Sequence, residues 1–284
     1  MKTNRKTQII GWLLFLFAIG FFCIQMGFMY LQANYEAEYV DNRLFYIINM
    51  LFVICLALAL WLLLALSNKW KWFGASISVV FILVNVVLLV TSSKDIRLVT
   101  SISPNFKQVF SIKENTDTGE AVFYRSYYGI LARPKEKLPY QTDGTFQVKW
   151  LADDVAVATY KAADDTIHQY VGTYGDRSSG ISYYYVGAEV HGLWKGEGVE
   201  VLSSQEGITV TQNNQTELFD WEHVVQFGTL AVVLTRENEA VWTIALNENF
   251  EVNSNTTSSQ TGEISLYRAT MGDMEPIILQ YAGN

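Results

Sequence analysis

The sequence is poor in cysteine and histidine and, over three long stretches, it carries no charge at all. Its two cysteines, Cys23 and Cys55, both lie inside apolar runs. The chain after Thr91 therefore has none, which excludes a disulfide-stapled scaffold there and leaves a packed core as the source of stability. Three histidines in 284 residues give little choice of metal ligands. There is no Gly-x-Ser-x-Gly elbow, no His-Glu-x-x-His pair and no phosphate-binding glycine loop leading into a helix. Gly175-Asp176-Arg177-Ser178-Ser179-Gly180 matches a serine-protease nucleophile loop only loosely, because Arg177 displaces the serine.

Charge is missing from Ile9 to Leu31, from Leu44 to Leu66 and from Trp72 to Thr91. Each run is long enough to cross a hydrocarbon core of about 30 Å at about 1.5 Å per residue, so three transmembrane helices are expected at 9–31, 44–66 and 72–91. A secretory signal core usually runs about 7–15 residues, so the first span reads as an uncleaved anchor. Lys2, Arg5 and Lys6 precede it, and Lys69 and Lys71 occupy the turn between spans two and three. Glu36, Glu38 and Asp41 dominate the other loop. The positive-inside rule then predicts a multi-pass plasma-membrane protein with residues 1–8 and the Lys69/Lys71 turn in the cytoplasm, and everything after Thr91 outside. Trp12, Trp61, Trp70 and Trp72 fall near the inner interface in that topology.

Each span holds one side-chain amide, Gln25, Asn49 and Asn85, all at similar depth below the outer edge. Amides facing lipid leave donors and acceptors unpaired, so the three are expected to form a polar cluster across helices; the competing possibility is that each bonds its own backbone or pairs with another protein. Gly20 and Gly27 mark one face of the first helix as a place for close approach.

After Ser92 the pattern changes to short β-branched and aromatic stretches of period near two: 109–112, 121–124, 146–150, 155–160 and 167–171. With no helical period of ten or more residues, and only a turn or two expected over 218–225, residues 92–284 are predicted to form an all-β, sandwich-like extracytoplasmic domain. At a shift of 75 residues, Val155–Thr159 aligns with Leu230–Leu234, which suggests one hairpin design used twice. The split at Thr91 leaves 6 Lys/Arg and 3 Asp/Glu before it, and 14 and 25 after it. Such an acidic part is expected to repel nucleic acid and acidic lipid surfaces alike.

The densest candidate binding stretch is 168–194, where glycines accompany Tyr170, Tyr174, Asp176, Arg177, Tyr184, His191 and Trp194. Flat rings with polar tips, an acid and a base suit a sugar, a peptide or a partner surface; a long hairpin with core tyrosines is the plainer alternative. His168, Glu189 and His191 lack any metal-ligand spacing, so neither a metal nor a cofactor is expected. Asp153/Asp154 and Asp164/Asp165 read as solvated turns.

The expectation from sequence is a bacterial-type, non-enzymatic membrane protein anchored in the lipid bilayer. Its external domain would recognise a partner protein or an envelope ligand, acting as an accessory to another membrane or envelope protein. The competing class is an envelope-modifying hydrolase carried on the external domain. A transporter ranks last, since the spans contain no ionisable residue. The layout itself occurs in sensors, accessory subunits and immunity-type proteins and does not fix function.

Overall fold

A computed structural model describes residues 5–127, 129–175, 177, 183–252 and 261–283. It begins with α1 (Arg5–Tyr35), a two-residue strand β1 (Glu38–Tyr39), α2 (Arg43–Leu63) and α3 (Asn68–Asp95). All three helices are long and apolar enough to cross a membrane. α1 and α3 outrun the uncharged stretches at both ends, because polar terminal residues continue the helix, whereas α2 stops at Leu63 and Leu64 turns to extended backbone. α1 packs on α2 through Phe22 against Phe52 and Phe28 against Phe45, with ring centroids 5.7 and 5.9 Å apart. The glycines that make room differ from those expected. Gly20 and Gly27 face open space, while a Cβ on Gly11 would lie 2.8 Å from the Leu63 side chain.

α3 runs into β2 (Ile96–Ile102) with no intervening loop, and β3 (Val109–Asn115), β4 (Ala121–Tyr127) and β5 (Leu131–Lys137) follow. These form a five-stranded sheet in the order β1-β5-β4-β3-β2, with β5 antiparallel to both of its neighbours. Contacts divide the chain into two compact units. The first holds residues 1–98, 111–117 and 122–137, and the second holds 99–110, 118–121 and 138–284. The helices and most of the five-stranded sheet thus belong to one folded unit, a division that cuts across a boundary at residue 92.

The second unit contains β6 (Thr142–Ala152), β7 (Val155–Ala162), β8 (Ile167–Thr173), a single turn of helix α4 (Val186–Glu189), β9 (Gly192–Gly196), β10 (Val199–Ser204), β11 (Gly207–Gln212) and β12 (Gln215–Phe219). A 3-10 turn at Trp221–His223 leads to β13 (Val224–Phe227), β14 (Ala231–Arg236), β15 (Glu239–Leu246), β16 (Glu263–Arg268) and β17 (Ile277–Gly283). Nine strands form one sheet, β12-β11-β10-β9-β17-β16-β15-β14-β13, and three form another, β6-β7-β8. The nine-stranded sheet curls so that Val201, Ile208 and Phe219 from one end share a core with Leu234, Trp242 and Ile244 from the other, around Trp194. Its opposite face, through Ala231, Val233, Ala245 and Tyr267, packs on Leu151, Val155, Val157 and Val171 of β6–β8. Because side chains alternate along a strand, β14 supplies Val232 and Leu234 to one core and Ala231 and Val233 to the other. Burial on both faces explains why its sequence reads as a continuous apolar run.

A buried polar bridge fixes how the sheets face each other: Gln169 on β8 donates to Thr159 Oγ1 (3.0 Å) and accepts from Thr243 Oγ1 (2.6 Å) on β15. The two hairpins suggested by the internal repeat, β7–β8 and β14–β15, lie in these facing sheets. The 168–194 stretch is not a hairpin: β8 pairs with β7, whereas β9 pairs with β10 and β17, so it connects one sheet to the other.

Two glycines with positive φ offer a test of this geometry. Gly198 (φ 70°) has open space where a Cβ would point, but Gly207 (φ 144°) would drive one into the Phe219 carbonyl. Gly198→Ala is expected to cost about 1 kcal/mol and Gly207→Ala about 3 kcal/mol of stability in denaturant unfolding followed by tryptophan fluorescence. Equal costs would contradict the close approach of β11 and β12.

Candidate functional site

The most concentrated polar arrangement lies in the first unit, around Lys113 on β3. Phe110, Ser111 and Ile112 are fully buried, and the same burial continues through Lys113 and Glu114, so both faces of β3 are covered. Lys113 Nζ uses all three of its protons: it donates to Glu38 Oε2 at 2.7 Å, to the Tyr39 carbonyl at 2.8 Å and to Asn42 Oδ1 at 2.6 Å. It also lies 4.4 Å from the centre of the Tyr124 ring. Burial pulls the Lys113 pKa below the usual lysine range, and the hydrogen bond and charge of Glu38 oppose that pull. Tyr124 donates to Glu38 Oε1 at 3.4 Å, and burial together with the Glu38 charge pushes its phenol up to about 12. Beside this cluster, Glu114 is nearly fully buried and pairs with Arg97 at 2.9 Å.

The cluster continues into the helices. Tyr39, whose ring stacks on Phe28 at 4.0 Å, donates its hydroxyl proton to Gln25 Oε1 at 3.0 Å. Gln25 Nε2 in turn donates to the Phe45 carbonyl (3.0 Å) and to Asn49 Oδ1 (2.9 Å). An unbroken path of hydrogen bonds therefore runs from β3 through the α1–α2 connection to the α1–α2 interface. Asn85 stands apart from the expected three-amide cluster. It is buried, but its Nδ2 donates to Phe81 O at 3.0 Å on its own helix. Sequence reading missed Glu38, Tyr39, Asn42, Lys113 and Tyr124. The one available signal was the placement of Glu38 and Asn42 in the same short connection.

Several of the described residues of the 168–194 stretch are turned inward. Tyr170, Tyr184 and Trp194 are 5%, 7% and 0% exposed, so their rings serve the cores and offer no face to a ligand. Trp194 donates its ring N–H to the Val190 carbonyl at 2.8 Å. Arg177 is also turned inward. Its guanidinium grips both oxygens of Asp154 at 2.5 and 2.6 Å and donates to the carbonyls of Leu246 and Asn247, while the Tyr184 hydroxyl accepts from its backbone N–H. Asp154 is thus the partner of a buried cation and not a solvated turn residue. Tyr174 stacks on Trp150 and donates to the Val109 carbonyl at 3.1 Å. His191 is exposed, and Asp176 lies outside the described residues.

His168 is buried against Tyr140, with ring centroids 3.7 Å apart, and its Nε2 is 2.7 Å from Thr166 Oγ1. Burial lowers its pKa, opposed by Asp164, and burial raises that of Glu189 on α4. Among the described residues, no three His, Cys, Asp or Glu side chains group as a metal site.

Charge separates sharply between the two units. The first carries 13 Lys/Arg and 7 Asp/Glu, and the second 7 and 21. The acidic excess after Thr91 thus resides in the second unit, whereas the sheet folded with the helices is basic.

No family model, curated protein or solved structure compared with the chain matches it.

Lys113→Met leaves Glu38 and Asn42 without their cation and is expected to cost about 2–4 kcal/mol in mixed-micelle unfolding of the full chain. Gln25→Leu should cost about 1–2 kcal/mol and Asn85→Leu less than about 0.5. Comparable losses at Gln25 and Asn85 would contradict the hydrogen-bond path. For His168 the sign follows from linkage. A base whose folded pKa is depressed binds fewer protons folded than unfolded, so stability is fully present above its ordinary value of 6.5 and is lost as pH falls through the lowered one. The unfolding midpoint should therefore fall below pH 6.5, and His168→Gln should flatten that acid-side slope.

Proposed function

We propose that the chain is a three-span membrane protein whose β part lies outside the membrane and acts as a binding or accessory subunit for another membrane or envelope protein. The observation that carries this reading is the Lys113–Glu38–Tyr39–Gln25–Asn49 path, which ties the helices to the part of the five-stranded sheet that folds with them in one unit. A passive anchor needs only a tether between helix and domain. Here the sheet is bonded to the α1–α2 connection, and α3 enters β2 directly, so displacement of the sheet is carried into the helices. Outward-facing apolar side chains along the helices, among them Leu16, Phe17, Val80 and Val87, suit lipid or the helices of a partner. Exposed Trp12, Trp61, Trp70 and Trp72, with Lys71 5.3 Å from the Trp61 ring, support an inner interface at the α2–α3 turn. The buried roles of Arg177, Tyr184 and Trp194 move recognition away from the 168–194 stretch and towards the helices and the sheet beside them.

Two measurements test the reading. Purification of the full-length protein from its own membrane in mild detergent should recover a membrane or envelope protein at near-equal amount, lost in a Lys113→Met variant that still folds. Elution of the wild type alone would refute an accessory role. For orientation, a membrane-impermeant maleimide on intact cells should label Glu206→Cys and leave Lys69→Cys unlabelled, both in a Cys23→Ser/Cys55→Ser background. The reverse pattern would invert the topology.

A further inference from the structure

At the end of α1 a groove of about 380 Å³ opens between the helix terminus and the β4–β5 pair, lined by Asn34, Glu36, Arg125, Tyr127, Arg133 and Lys135. Its construction is unusual in one respect: Arg125 and Arg133 sit directly opposite each other in the antiparallel register. Like charges at facing positions destabilise a sheet. The register shift between Phe123 and Tyr124 makes Lys135 the extra residue of a bulge, which adds a third cation to the same groove. Glu36, held at φ 53°, lines the same groove beside these three cations. Arg133 is not arranged at random: its Nε donates to the Tyr35 carbonyl at 2.5 Å, and its guanidinium lies 5.6 Å from the centre of the Tyr35 ring. That contact fixes the guanidinium beside the last turn of α1.

Taking up the membrane reading above, we propose that this groove binds the phosphodiester headgroup of an anionic lipid in the outer leaflet. The position fits, because the last turn of a spanning helix lies at headgroup depth, and exposed Tyr30, Tyr35 and Tyr127 provide the amphipathic rings favoured there. The chemistry fits as well. Two facing guanidiniums present paired N–H donors that match two phosphate oxygens, the ammonium of Lys135 adds a point charge, and Asn34 and Tyr127 offer hydrogen bonds to a headgroup hydroxyl. A phosphate held by both Arg125 and Arg133 places its negative charge between two facing cations.

The test reconstitutes full-length protein into nanodiscs of equal phosphatidylcholine and phosphatidylglycerol, followed by native mass spectrometry of the lipids it retains. The wild type should keep phosphatidylglycerol preferentially, and Arg125→Gln/Arg133→Gln/Lys135→Gln should lower that preference about tenfold. Lys149→Gln/Lys161→Gln, in the second unit, should keep it. Because the triple variant removes sheet residues, Lys135→Glu alone serves as a second probe and should also reduce the preference. An undiminished preference in either groove variant, or none in the wild type, overturns the proposal. So does binding of chain-free glycerophosphoglycerol to the detergent-solubilised protein as tight as that of the lipid, since the ligand would then be a soluble phosphodiester. Failure of the protein to enter nanodiscs refutes the membrane reading itself, whereas entry without lipid preference refutes only the groove.

Discussion

A buried ammonium must spend all its protons or lose them, and Lys113 spends all three on the short connection between α1 and α2. Much else in the first unit depends on that constraint. The connection is held as a strand on the edge of the sheet because its carbonyl and two of its side chains are committed to one cation. Tyr39, fixed there, is in turn able to reach Gln25 below it. Removing the cation from this arrangement strands a carboxylate and an amide together, so the cluster is held by mutual need and not by the strength of any one bond.

The second unit solves its problem differently. Its stability comes from two apolar cores sharing strands β14 to β16, and its polar interior includes the Thr159–Gln169–Thr243 bridge and a Ser265 hydroxyl donating to Asn247. Arg177 acts as an internal clamp that ties the chain after β8 to Asp154 and to the end of β15. The first unit is basic and organised around a buried cation, whereas the acidic one confines its own buried guanidinium to a structural task. Such a division lets one chain present opposite fields on two surfaces, with steering by charge available to both.

The parts that were legible in the sequence are those with a period. Uncharged runs announced the three helices, and alternation announced β3, β4, β6, β7 and β8, because burial acts on every second or every third to fourth residue. Counting depth along the helices also brought Gln25 and Asn49 to one level, since rise per residue is fixed; Asn85 shares that level but satisfies its own backbone, a choice that depth cannot reveal. Lys113 was illegible because a lysine in an alternating strand ordinarily marks the solvent face, and the residues that cover it lie more than seventy positions earlier. β1 is too short to show any period. Arg177 misled in the opposite sense: beside glycines it resembles an offered side chain, and only its partner 23 residues earlier turns it inward.

β9 has two neighbours of very different age in a chain made from its N-terminus. β10 follows it at once, but β17 arrives about eighty residues later. Until then the meander β9 to β12 presents an unpaired edge, with Trp194 lacking the strands that later enclose it. The nine-stranded sheet is therefore closed by its last strand, and the newly made chain passes through a stage in which that edge is open to any other extended segment. Delay in completing β17 extends that exposure, which makes this strand the guardian of strands laid down long before it.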